Sequence, residues 1–239
     1  GVIWAFIQPV ITVLLYWFVF EFGLHQKVND LRTGIEVPFV LWLMGGLVPW
    51  FYFQEALNGG TGVLDEYSYL VKKVVFQIDA LPVVKLISAL FTHAFFVIFM
   101  LVVFVVMGFY PDLYVLQVVY YSFCMVMFTA GLIYATSAVT VFFRDMKEVV
   151  AILLQIGMWV TPIMWNFESM QGIPKWAVVL LKLNPMYYIV SGYRDALINK
   201  TAFWEHPGLT LWFWGITLFT LWAGTTVFKR LRVHFADVL

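Results

Sequence analysis

The sequence predicts an all-α, polytopic membrane protein with six membrane-crossing helices, and three observations carry that prediction. Hydrophobic residues make up 63% of the chain and charged residues 12%, whereas soluble domains run near about 45–50% and about 25%. So few charges could not cover that much apolar surface in water. The apolar residues fall into runs of about 20, the length that carries a helix across a hydrocarbon core of about 30 Å. Finally, the longest polar break between runs keeps a helical period instead of reading as loop.

Span one runs roughly from Val2 to Phe20. Gln8 and Pro9 interrupt it, and a proline in a membrane helix is tolerated where neighbours satisfy the freed carbonyl, which points this face at protein or a cavity. The chain opens at Gly1 inside an apolar run, so an N-terminal segment is expected to precede it; no cleaved signal peptide is evident. The loop from Glu21 to Val37 is polar, with turn signals at Gly23, Asn29-Asp30 and Gly34. Span two, Pro38 to Leu57, carries Gly45-Gly46, which permit close helix approach, and Pro49, which should bend it.

The polar break from Asn58 to Lys85 follows. Within it Tyr67, Leu70, Val71, Val74, Val75 and Ile78 recur at helical spacing and form one face. Asp65, Glu66, Lys72, Lys73, Gln77 and Asp79 mostly take the other. The residues alone allow two readings: an amphipathic helix resting on lipid headgroups, with Lys72 and Lys73 meeting phosphates, or a short helix gripped by a soluble partner.

Pro82 opens span three, residues 83–110, a favourable place for a proline because its missing N–H was unsatisfied anyway. Thr92 and His93 lie within it; an intramembrane histidine is a functional candidate, with hydrogen-bonded packing as the alternative. After a turn at Tyr110-Pro111-Asp112, span four runs from Leu113 to Phe142. It holds the lone cysteine, Cys124, which excludes an intrachain disulfide and reads as a small buried side chain. The second break, FFRDMKEVV from Phe142 to Val150, reads as a solvated turn with local charge pairs. Span five is placed at Val149 to Trp165, with Thr161-Pro162 near its outer end.

Two apolar pieces, Trp176–Leu183 and Met186–Leu197, are split by Asn184-Pro185. Both are too short to cross a bilayer, so they read as re-entrant or interfacial helices. Span six, Thr210 to Phe228, ends in the basic tail KRLRVHFADVL. If both breaks and the tail share one side, that side holds Lys72, Lys73, Lys85, Arg144, Lys147, Lys229, Arg230 and Arg232; the other holds Lys27, Arg32, Lys175, Lys182, Arg194 and Lys200. The first side is then cytoplasmic by the positive-inside rule.

No phosphate loop, paired-histidine zinc motif, C-x-x-C or G-x-S-x-G occurs, and the four histidines lie in four different segments. No catalytic or metal site is expected on this chain, and no cofactor. Lys plus Arg and Asp plus Glu number 14 each, so charge argues neither for nor against nucleic acid, and none is expected as a partner. No intramembrane run of acidic groups suggests proton coupling, which leaves a transport path powered by a partner. Aromatics reach 20% of the chain, more than interfacial belts need.

Six stretches in order resemble the membrane subunit of ABC-2 type exporters, in the polysaccharide and polyol-phosphate branch that serves O-antigen, capsule and teichoic acid export. They are WAFIQPV (4–10), LVPWFYF (47–53), LVKKVVFQIDALPVVKL (70–86), VFFRDMKEVVAILLQIGMWVTPIMW (141–165), LNPMYYIVSGYRDAL (183–197) and RLRVHFADVL (230–239). Gln77-Ile78 departs from the Pro-Arg common in the family, and the family's interfacial helix before span one is not present in this sequence.

The resemblance implies a homodimer of twelve spans in the bacterial cytoplasmic (inner) membrane, with two ABC ATPase subunits below that hold ATP and Mg. Residues 67–79 would be the coupling helix, with Tyr67, Leu70, Val71, Lys72, Lys73, Val74 and Phe76 at the ATPase and Arg144 and Asp145 as a second contact. ATP closure would push that helix and open a path between spans one and five. The short helices at 172–197 would gate the outer mouth through Trp176, Tyr187, Tyr188 and Arg194. A lipid-linked glycan or polyol-phosphate polymer needs surfaces that stack on sugar rings, and Tyr16, Trp17, Trp159 and Trp165 are the path candidates. Arg194 could also meet a pyrophosphate, or pair with a neighbour such as Asp195. The rival readings are an ABC-2 exporter of drugs or lipids, and a membrane-embedded glycan-modifying enzyme.

Overall fold

One helix, α2 (Phe39–Thr61), runs through the middle of the molecule; the helices at residues 2–17, 80–106, 117–142 and 146–160 pack on it, and the long helix at residues 207–231 packs on the one at 117–142 instead. From Phe39 to Trp50 every residue is buried, so this stretch faces neither water nor lipid. A helix apolar on all sides suits such a central position. The computed structural model describes residues 2–23, 28–29, 34, 36–71, 77–167 and 172–238.

Helix α1 (Val2–Trp17) contains Pro9 and continues into a π-helical turn at Phe18–Gly23. It lies on α2, with Ile3, Trp4, Ile11, Leu14, Leu15 and Phe18 exposed. A two-residue antiparallel ladder pairs Val28–Asn29 with Glu36–Val37. Two short turns, α3 (Val63–Glu66) and α4 (Ser68–Val71), follow α2.

Helix α5 (Ala80–Val106) turns Leu86, Ala89, His93, Phe96, Met100 and Phe104 inward. Ile87, Phe91, Ile98, Val102 and Val105 are exposed on it. An exposed apolar face of this kind suits lipid. Helices α6 (Gln117–Phe142) and α10 (Pro207–Leu231) cross with their backbones in contact. A Cβ on Gly224 would lie 2.1 Å from the Gly131 carbonyl oxygen, and one on Gly131 2.7 Å from the Leu221 nitrogen. Only glycine allows that approach.

Helix α7 (Met146–Val160) leads to two short helices, α8 (Lys175–Leu183) and α9 (Pro185–Arg194), the latter extended by a π turn at Asp195–Asn199. Asn184 caps α9 by accepting the Met186 N–H at 3.0 Å, with Pro185 at the first helical position. The chain ends in α11 (Phe235–Val238).

The architecture is all-α and polytopic. Among the described residues, four helical stretches are long and apolar enough to cross a membrane: Phe6–Gly23, Ala80–Val106, Leu113–Phe142 and Pro207–His234. Two expected spans need revision. Span two does not stop at Leu57 but runs to Thr61, whose hydroxyl donates to the Leu57 carbonyl at 2.7 Å and meets the Thr136 hydroxyl at 2.9 Å. Span five does not continue to Trp165. It begins at Met146 and stops at Val160, because Pro162 pushes the preceding Thr161 to an extended ψ of 124°. Its 15 residues reach about 22 Å, short of a core of about 30 Å.

Candidate translocation path and coupling link

A groove of about 500 Å³ opens between α1, α2 and α5. From α1 it receives Trp4, Gln8, Pro9, Thr12 and Tyr16; from α2, Phe51, Tyr52, Gln54, Glu55 and Asn58; from α5, Thr92, His93 and Phe96. Met158 of α7 completes the wall. Helical spacing explains the lining. Gln8, Thr12 and Tyr16 lie four residues apart on α1, as do Gln54 and Asn58 on α2, so each set shares a face. The walls thus alternate ring faces with amide, hydroxyl and carboxyl groups.

His93 belongs to a buried network at the back of this groove. Its Nε2 lies 2.9 Å from the Tyr193 hydroxyl and 3.3 Å from the Ser122 hydroxyl, and those two hydroxyls are 2.6 Å apart. One ring therefore joins α5, α6 and α9. Thr92 donates to Glu55 at 3.4 Å. Among the described residues, no three His, Cys, Asp or Glu side chains come together as a metal site.

The candidates for the path fall in different places. Tyr16 lines the groove. Trp17 instead donates its indole N–H to Glu21 and packs edge-on against Phe22. Trp159 is 60% exposed on α7. The indole of Trp165 donates to the Trp159 carbonyl at 3.0 Å, and its ring borders a second cavity of about 180 Å³ beside Trp42, Lys182 and Tyr187. Gln54, Glu55 and Asn58 were not among the candidates. Their signal was a polar stripe at i, i+1 and i+4 at the end of an otherwise apolar run.

Of the gate candidates, Trp176 is 67% exposed at the start of α8. Tyr187 is buried against Phe167, with ring centroids 5.8 Å apart. Tyr188 is buried as well: its hydroxyl meets those of Tyr120 and Thr210 at 3.1 and 3.0 Å, and its ring stacks on Phe213. Arg194 is only 7% exposed and donates to the carbonyls of Trp42, Pro162 and Ile163 at 3.2, 2.7 and 2.7 Å.

At the opposite end of the bundle, within the stretch expected as a helix at 67–79, Ser68–Val71 is helical, and residues 72–76 lie outside the described residues. Tyr67 is a turn residue and Gln77–Asp79 lead into α5 without a helix. Lys72, Lys73, Val74 and Phe76 lie outside the described residues, as do the side chains of Leu70 and Val71. Tyr67 and Ile78 pack on a small core of Val63, Leu64, Leu81, Val141, Phe228 and Phe235. Lys85 sits 5.5 Å over the Tyr67 ring.

Three ion pairs hold this link in place. Asp65 meets Lys147 at 2.7 Å, Glu66 meets Lys85 at 2.7 Å, and Asp79 meets Arg232. The link, the 142–150 turn and the tail therefore share one end of the bundle, as the positive-inside count assumes. Arg144 and Asp145 are both exposed beside it, and Arg144 borders a shallow cleft of about 290 Å³ with Asp65, Ser68 and Lys147.

A bundle of apolar helices around a polar, aromatic groove, with short helices at one end and a tethered link at the other, defines a multi-pass membrane transport subunit. The chain belongs to the ABC-2 type transporter family, whose model matches residues 1–198. It is 26% identical over 237 residues to the O-antigen export system permease protein RfbA of Myxococcus xanthus, covering 99% of this chain and 87% of the relative. A protein of the same description from Klebsiella pneumoniae is 25% identical, covering 100% and 87%. The polysialic acid transport protein KpsM of Escherichia coli is 25% identical, covering 96% and 85%.

Proposed function

We propose that this chain is the membrane-spanning, non-catalytic subunit of an ATP-driven exporter that moves a lipid-linked polysaccharide or polyol-phosphate polymer outward across the bacterial cytoplasmic membrane. The observation that carries the reading is the groove. Trp4, Tyr16 and Phe51 offer ring faces to sugars, and Gln8, Gln54, Glu55 and Asn58 offer hydrogen-bonding groups beside them. A transporter of apolar drugs would not need that density of polar groups. Relatives matched along nearly the whole chain export O-antigen or transport polysialic acid, which supports the same substrate class here.

In this reading two copies pair so that α1 and α7 of each face a shared path, and an ABC ATPase dimer holding ATP and Mg docks on the 67–79 link. Closure of the ATPases displaces the link. The ties of Asp65 and Glu66, just before it, to Lys147 at the start of α7 and Lys85 on α5, and of its own Asp79 to Arg232 beyond α10, carry that displacement into the bundle.

Replacing Lys72, Lys73, Val74 and Val75 with Asp tests the coupling assignment. ATPase stimulation by polymer should fall at least tenfold in the purified complex while membrane insertion stays normal; stimulation at the parent level would remove the link from the coupling role.

A further inference from the structure

Helix α7 ends at Val160, which is 44% exposed, and the chain then turns inward through the buried Thr161–Met164, a break that leaves backbone carbonyls without intrahelical donors. The segment Thr161–Trp165 is nonetheless anchored at every turn. Asn184 Nδ2 donates to Thr161 Oγ1 at 2.8 Å, and the Trp165 indole donates to the Trp159 carbonyl at 3.0 Å. The carbonyls of Pro162 and Ile163 both receive Arg194, whose Nε also donates to the Trp42 carbonyl of α2. The guanidinium lies 3.3 Å from the centre of the Trp42 ring. The α2 backbone leaves room for it through Gly45 and Gly46: a Cβ on Gly46 would lie 2.9 Å from Arg194 Nη2 and 3.1 Å from Ile163 Cγ2.

We infer that Arg194 is a positioning residue for the exit end of span five: its guanidinium locks the 161–165 turn to α2 and α9 and thereby aims Trp159 and Trp165. Three features fit that role better than a substrate contact. The group is buried, its forked N–H donors are directed at three carbonyls from two segments, Trp42 on α2 and Pro162-Ile163 after α7, and a positive charge sits at the electronegative end of α7. A cation at such a place is costly unless carbonyls surround it, and here they do. A lysine could reach one or two of the three carbonyls, since it lacks the fork.

The experiment uses the assembled transporter with Cys124→Ser and Ile163→Cys, because Ile163 is fully buried at 0% exposure. A membrane-impermeant maleimide is added from outside. Labelling of position 163 should be at least tenfold faster with Arg194→Gln than with Arg194, and at least threefold faster with Arg194→Lys, which decides alone if the glutamine variant does not accumulate. Equal rates would overturn the inference. Export should fall while the half-saturating concentration of polymer-lipid stays unchanged; a raised half-saturating concentration with unchanged labelling would make Arg194 a substrate contact and also overturn it. The consequence for the path rests on the reading of Trp159 and Trp165 as path residues. Labelling reports only the turn, so failure of that reading would appear separately, as normal export in Trp165→Ala with the labelling effect intact.

Discussion

His93 shows what a polar group inside this bundle does. Its ring bonds Tyr193 and Ser122 at the junction of three helices, and Tyr52 packs edge-on against it at 5.3 Å. Interhelical hydrogen bonds in membrane proteins are worth about 0.6–2 kcal/mol each. His93→Leu should therefore lower the thermal midpoint of the detergent-solubilised protein by an amount equivalent to about 1–2 kcal/mol; an unchanged midpoint would show the network to be energetically silent. Tyr16 makes the contrast, since its ring borders the open groove instead of closing a network. Tyr16→Ala should slow polymer export several-fold while protein level in the membrane changes little. Export at the parent rate would leave Tyr16 as a belt residue.

At the scale of elements, ion pairs tie the link after α2 to the bundle. An exposed ion pair contributes about 0.2–1 kcal/mol, so the Asp65–Lys147 bond is not there chiefly for stability. It ties the link to the first turn of α7, and the Lys147 stem also crosses Gly62, where a Cβ would meet its Cε at 3.2 Å. Asp65→Lys and Lys147→Asp should each uncouple ATP hydrolysis from export, and the double exchange should restore coupling to within about twofold of the parent, as expected when the pairwise term is the one that matters. Uncoupling that persists in the double variant would exclude the pair as a strut. α7 itself is short because a proline ends it.

At the scale of the whole molecule, orientation follows from where the charges cluster. The ion pairs bring the two breaks and the tail to one end, and the positive-inside rule predicts that this end faces the cytosol. Cys124 is buried, so single introduced cysteines can report topology. In intact cells an impermeant maleimide should label Trp176→Cys readily and Arg144→Cys only after permeabilisation; the reverse pattern would invert the molecule and with it the direction of export.

The sequence by itself determined the class. Hydrophobic runs, their lengths and the proline and asparagine punctuation depend on local composition, and these placed the long helices and the split at Asn184-Pro185, while the family came from the resemblance of six stretches in order. Tertiary structure decided which polar side chains meet. Tyr16, Glu55 and His93 come from three helices and share one groove only because α1 and α5 both pack on α2. In sequence Arg194 reads either as a contact for a pyrophosphate or as the partner of a neighbour such as Asp195, and only the fold shows it closing on Trp42, some 150 residues away. Local pattern fixes which face of a helix is apolar, whereas the partners of a polar group depend on helix crossings set by packing, such as the backbone contact at Gly131 and Gly224.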